Sequence, residues 1–432
     1  MSTVHMSLAQ FSATGGAQGS PYVFQPLAGT GLDFVYLFDG NSHAKLYFAS
    51  ENPSLWVWYR YGQDPSLVEP VSVSDVQVVA GQTVLSNVQP GYGYLVDSAG
   101  VKKRYVYVVE YKPLLINGIE YSPDCDVCHT LEFSALTNIG DMPYYKAKGT
   151  TGAVFIKRSF TLSWNTLEWN GIEKKYETKT RTSALTTDKT PSWSIEAPLT
   201  DTRFNINCDD QIARFFGQSA GHQSAIYSAV AVEANPEARV LARNAKNEGG
   251  NEDPALVYLS RSAPSGSAPL NIQFYSHASD AVKYNEWYIY HQVDGTGSYN
   301  RYMEDHFLYI FRESGDFLVK LVVSNATCKD TANYFTPKVL ESFIDCPNFF
   351  TPRSSPGEND EFRVAYKSIV FFKGVILNRW GNVLFEWSDP AFGWNGTYKG
   401  KAVSPGVYFY VIDARGSDGV VYKKKGDINL LE

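Results

Sequence analysis

The chain has 432 residues, of which 19% are charged and 15% aromatic, with a formal net charge of −7. That balance supplies no basic field to hold nucleic acid or anionic lipid, and no apolar run reaches the roughly eighteen residues of a membrane-spanning helix. With 29 Tyr and 25 Phe against only 4 Met, the composition favours pleated, half-buried surfaces, and the length suits several all-β domains.

Residues 1–19 include Ser7-Leu8-Ala9-Gln10, a small-x-small pattern like the end of a secretory signal peptide, with no apolar core before it. They are expected to be a signal-peptide remnant or a disordered tail. Residues 20–112 carry short strands separated by Gly, Asn, Asp and Pro, and are expected to form an immunoglobulin-like β domain. Period-two alternation there puts Trp56 and Trp58 on one surface. In Lys103–Tyr111 it sets Tyr105, Tyr107, Val109 and Tyr111 against Val106 and Val108. Residues 113–236 are expected to be a second β-sandwich, with strands over Ala153–Ser163 and Ala225–Val232. A helical turn starting at Asp209 and an exposed hairpin or loop over Lys174–Lys189 complete it. Residues 237–254 are polar and glycine-bearing and are read as a linker.

Residues 255–342 contain Pro269-Leu270-Asn271-Ile272-Gln273-Phe274, Trp287-Tyr288-Ile289-Tyr290 and Gly315-Asp316-Phe317-Leu318-Val319-Lys320-Leu321-Val322-Val323. Phe317, Val319, Leu321 and Val323 share one strand face. These segments resemble a PKD domain, which implies an immunoglobulin-like fold.

From residue 343 onward the chain reads Cys346-Pro347-Asn348-Phe349-Phe350-Thr351-Pro352, then Asn378-Arg379-Trp380-Gly381, then Trp394-Asn395-Gly396-Thr397. It continues Pro405-Gly406-Val407-Tyr408 and Lys425-Gly426-Asp427. This succession resembles the gliding motility-associated C-terminal domain, the type B sorting domain of the Bacteroidetes type IX secretion system. The resemblance implies a small antiparallel β-sandwich over 343–432, passage through the periplasm, and recognition by the outer-membrane translocon. Asn378, Arg379, Trp380, Gly381, Trp394, Gly396, Gly406, Tyr408 and Gly426 are the motif residues it picks out. Arg353-Ser354-Ser355-Pro356-Gly357 stands where relatives carry an Asp-Gly-rich loop, so no cation is expected there.

Five cysteines remain to be placed. Cys125-Asp126-Val127-Cys128-His129 fits C-x-x-C-H, the spacing for thioether attachment of c-type haem with His129 as axial ligand. A strand-like Leu131-Glu132-Phe133 follows directly, and the structural reading pairs Cys128 with Cys208 and Cys328 with Cys346. The seven histidines show no paired ligand spacing, so no metal or cofactor is expected. Gly217-Gln218-Ser219-Ala220-Gly221 follows the G-x-S-x-G pattern without the parallel α/β setting that a nucleophile elbow needs. Trp56, Trp58 and Trp193 are the candidate ligand-stacking aromatics. The reading is a non-catalytic secreted or cell-surface protein for adhesion, binding or scaffolding linked to gliding. Its expected partners are the type IX translocon and a glycan or surface protein. A haem or redox carrier and a glycan-active enzyme are the alternatives.

Overall fold

Alternation along one strand organises the first part of the molecule. Lys102–Glu110 lies inside a six-stranded sheet, paired parallel with Phe34–Phe38 and antiparallel with Tyr92–Ser98. Val106 and Val108 enter one core while Tyr107 and Val109 enter another, so all four are buried. A strand covered on both faces reads as unbroken apolar sequence because neither side meets water. The computed structural model describes residues 10–40, 43–100, 102–148, 152–241, 256–257, 264–354 and 359–431.

One face of this sheet packs on a four-stranded sheet of Gln10–Thr14, Lys45–Ala49, Gln82–Leu85 and Val76–Val79, through Phe11, Phe48, Trp58 and Val96. Gln10–Thr14 therefore corrects the expectation of a loose tail: it pairs with Lys45–Ala49, and its alternation buries Phe11. Residues 1–9 of that expectation lie outside the described residues. The other face meets Met142, Tyr144, Ile156, Ile212 and Phe216, all from beyond residue 112. The two N-terminal sandwiches thus share a core. They fall in one compact unit of Met1–Glu168 and Thr178–Ala229.

Close backbone approach fixes one glycine. A Cβ at Gly93 would sit 2.0 Å from the Tyr61 ring, which is itself buried in the shared core. Gly93→Ala is expected to cost about 2–3 kcal/mol by overpacking, read as a lowered denaturant midpoint with unchanged m-value. A midpoint within error of wild type would refute this packing.

The second sandwich sets a three-stranded sheet of Ile116–Tyr121, Thr130–Thr137 and Ser192–Glu196 against a four-stranded one. The latter runs Lys175–Thr187, Arg158–Asn170, Asn205–Cys208 and Ala220–Gln223. Phe133, Phe160, Leu162, Trp193, Phe204 and Ile206 fill the core between them. Lys175–Thr187 is a long polar edge strand of a hairpin, and its Lys and Thr content discourages further pairing. The strand expected over Ala225–Val232 is replaced by Ala220–Gln223 and an isolated bridge from Thr202 to Tyr227. Local bonds hold the segment off the sheet: Ser224 Oγ donates to the Ala225 carbonyl, and Asp201 accepts from the Ala229 amide.

The helix Gln211–Phe215 starts one residue later than expected. Asp210 is the N-cap and accepts from the Ala213 amide at 2.9 Å, while Asp209 pairs with Arg214 in solvent. Phe216 then stacks on Tyr111 with centroids 3.8 Å apart, and Phe215 meets Tyr22 edge-on. This short helix is a wedge between the two sandwiches.

The second unit comprises Trp169–Glu177 and Val230–Glu432. Within it the Trp169 indole packs on Tyr176 and His277, and the Tyr176 hydroxyl donates to Glu233. Glu237–Leu241 corrects the linker expected from residue 237: it is a strand paired with Leu270–Tyr275 and Leu256–Val257. Its alternating Ala238 and Val240 help fill a core of Ile272, Phe274, Trp287, Ile289, Val319 and Leu321. The rest of that linker, residues 242–254, lies outside the described residues. This third sandwich closes with the sheet Tyr299–Tyr302, Tyr284–Tyr290, Leu318–Ser324 and Lys329–Phe335.

The C-terminal domain is a five-stranded sheet in the order Phe349–Phe350, Val421–Leu430, Gly406–Gly416, Ile369–Leu377 and Val383–Trp387. Its pairings are antiparallel except the first, in which Phe349–Phe350 runs parallel to Asn429–Leu430. Ile344, Phe362 and Trp394 pack on the inner face, against Trp387 of the last strand. Buried Ser342 donates to Asp418 at 2.7 Å and its carbonyl accepts from the Tyr422 hydroxyl, which pins the entry to this domain.

Candidate functional site

The hairpin joining Ile369–Leu377 to Val383–Trp387 is built by Asn378. Its side-chain oxygen accepts from the amides of Trp380 and Asn382, both at 3.0 Å, and its carbonyl accepts from the Gly381 amide at 2.9 Å. Gly381 takes φ +80°, a conformation that any Cβ would strain. Asn at the turn start and Gly at its left-handed position are the residues such a loop requires. The consequence is that Arg379 and Trp380 point outward. Trp380 is 70% exposed, and the Arg379 guanidinium carbon lies 4.2 Å from the centroid of its ring. A stacked guanidinium and indole form a flat, cationic and apolar knob.

The remaining motif residues build the domain beneath that knob. Trp394 is 0% exposed; its indole donates to the Thr397 carbonyl at 2.8 Å, and its backbone bridges Phe362. Gly396 turns the chain at φ +76°, with Leu430 and Pro352 close by. Gly406 opens a strand at φ +151°. Tyr408 donates to the Ser404 carbonyl at 2.7 Å, and a Cβ at Gly426 would meet the Tyr410 phenol.

The three aromatics expected to meet ligand are packing residues. Trp58 is 1% exposed and donates to Thr83 at 3.0 Å, while half-buried Trp56 lies against Phe48. Trp193 is 6% exposed and stacks on Phe133. Its polar neighbours Ser192 and Ser194 fall on the other face of the strand, so period two decides its position over local composition.

Both expected cysteine pairings are also corrected. Cys208 and Cys346 are free thiols, as is Cys125, whereas Cys128 and Cys328 are disulfide-bonded. With Cys128 oxidised, the C-x-x-C-H segment has no second thiol for a haem thioether, and the His129 ring pairs with Asp126 at 2.7 Å. Cys208 is buried, which pushes its thiol up to about 11; Arg158 opposes the shift and Asp210 adds to it. A thiol so placed is unreactive. Among the described residues no group of three or more His, Cys, Asp or Glu is arranged to hold a metal ion, and no helix is long and apolar enough to cross a membrane.

The C-terminal β domain thus divides its motif between a packed interior and an outward Arg–Trp knob. Residues 344–430 match the CHU_C type IX secretion signal domain, and residues 120–224 match a fibronectin type III domain. The chain therefore carries an address for export to the cell surface or medium, and both matched domains are of non-catalytic kinds. No curated protein matches it. Among solved structures it is similar to the FN1–FN3 domains of chicken CNTN1, at 10% identity and a TM-score of 0.24, over 74% of this chain and 100% of that one. It is also similar to dimeric latent PorU from Porphyromonas gingivalis, at 10% identity and a TM-score of 0.17, over 78% of this chain and 36% of that one.

Proposed function

We propose that this chain is a non-catalytic surface protein that binds or scaffolds outside the cell, in adhesion linked to gliding, and that its Arg379–Trp380 knob is what the export machinery grips. The carrying observation is the division of the motif: Trp394, Gly396, Tyr408 and Gly426 support the domain from within, while Arg379 and Trp380 meet solvent. That these two residues sit at a rigid turn and fill no interior position supports a recognition role for them. The third sandwich, in its PKD-like reading, serves as the spacer before the signal.

The test uses the full chain in a type IX-competent host. Arg379→Ala with Trp380→Ala is expected to change stability by no more than about 0.5 kcal/mol, since both residues are exposed, yet to leave the protein in the periplasm on fractionation. Normal surface display of that variant would remove the knob from the export step. Cells lacking the chain are expected to attach and spread less on solid surfaces, and unchanged attachment would remove the adhesive role.

A further inference from the structure

In Tyr284–Tyr290 the side chains of Asn285, Trp287 and Ile289 are buried, so Tyr284, Glu286, Tyr288 and Tyr290 stand on the opposite, outer face. Register sets Tyr299 directly across from Tyr290, and Arg301 across from Tyr288. The rings of Tyr288 and Tyr290 are 6.4 Å apart and 22° from parallel. Tyr299 closes on both at 5.4 Å, tilted by 63° and 50°, and is 52% exposed. Arg301 is ion-paired to Glu286 beside the rings, and Lys320 lies opposite Tyr288 on the neighbouring strand.

We propose that this aromatic corner is a binding site for a neutral polysaccharide. The inference deepens the adhesive reading above and rests on it. Three tyrosines offer apolar ring faces rimmed by hydroxyl groups, the same division that a sugar ring presents between its C–H face and its hydroxyl edge. Glu286 and Arg301 are paired beside the rings and Lys320 lies across from Tyr288, so the rim carries both signs of charge and no single-sign field selects an anionic chain. Area argues against a protein partner. One half-exposed ring and two partly buried ones offer no more than about 300 Å², well under the roughly 800 Å² per side of a stable protein interface.

The test is affinity electrophoresis of the full chain in gels containing β-glucan, xylan or galactomannan, with alginate as anionic control and gelatin as protein control. At least one neutral polysaccharide is expected to retard the wild type. The triple variant Tyr288→Ala, Tyr290→Ala, Tyr299→Ala should lose at least tenfold in affinity, whereas Tyr288→Phe with Tyr290→Phe, which keeps the rings, should retain most of it. If the triple variant misfolds by circular dichroism, Tyr299→Ala alone is the reporter, with an expected loss of about fivefold. The proposal fails if no neutral polysaccharide retards the wild type, if a folded triple variant is retarded normally, or if only alginate or gelatin responds to the substitutions. Cells that carry the folded triple variant and still attach as wild type would sink the corner while leaving adhesion standing.

Discussion

Asp210→Ala is expected to cost about 3–5 kcal/mol and to unfold much of the N-terminal unit, because it strands a buried charge. Arg158 is 1% exposed and reaches Asp210 through Nε at 2.6 Å and Nη2 at 3.1 Å, a bidentate pair. The same carboxylate accepts from the Ser159 amide and caps the wedge helix through Ala213. Removing it therefore leaves a guanidinium without its counter-ion and an uncapped helix, two losses at one position. Replacing both partners, as Arg158→Met with Asp210→Ala, is expected to recover part of the loss, since an apolar pair leaves no buried charge. Chemical denaturation of the three proteins decides the matter. A cost for Asp210→Ala under about 1 kcal/mol would show that the pair is not structural.

The pH dependence carries the same signature. Burial works against ionising Asp210, but the hydrogen bond from Arg158, with the amides of Ala213 and Ser159, outweighs it and holds the carboxyl below its ordinary range. A depressed folded pKa gives stability that is present above the unfolded value of about 3.9 and is lost as pH falls through the folded one. The wild-type acid limb should therefore be steeper than that of Asp210→Asn, which has no proton to take up at that position.

Trp394→Ala is expected to cost a similar 3–5 kcal/mol, concentrated in the export domain. The indole is fully buried among Phe350, Phe362 and Tyr408, and its N–H satisfies the Thr397 carbonyl. A domain spanning only residues 344–430 has little stability to spare, so the variant should become protease-sensitive in that region and stay in the periplasm. Trp380→Ala, from the same motif, should leave protease resistance unchanged. Equal resistance of both variants would contradict this assignment of one tryptophan to packing and the other to presentation.

Much of this architecture was legible in period-two patterns. Val319, Leu321 and Val323 line one face of their strand and enter the core as alternation predicts. The export domain was legible through resemblance, carried by the Asn378-Arg379-Trp380-Gly381 and Trp394-Asn395-Gly396-Thr397 blocks. Alternation does not extend into turns, however, so it could not tell that Trp380 would face water while Trp394 would be enclosed. The cysteines failed for a related reason. A clamp from a strand to the irregular segment suggested Cys128 with Cys208, and a domain junction suggested Cys328 with Cys346, but bonding depends on separations in space that sequence does not report. The tyrosine corner was half legible: Tyr288 and Tyr290 share a face by parity, but Tyr299 joins them only through a register set by the intervening loop.

The six-stranded sheet that is covered on both sides has a further consequence. A fragment ending at Lys112 would carry Val35, Leu37, Tyr107 and Val109 into solvent without the cover supplied by Met142, Tyr144, Ile156 and Phe216. The N-terminal pair should therefore melt in a single transition, and under load outside the cell it should behave as one stiff segment with no hinge at its midpoint.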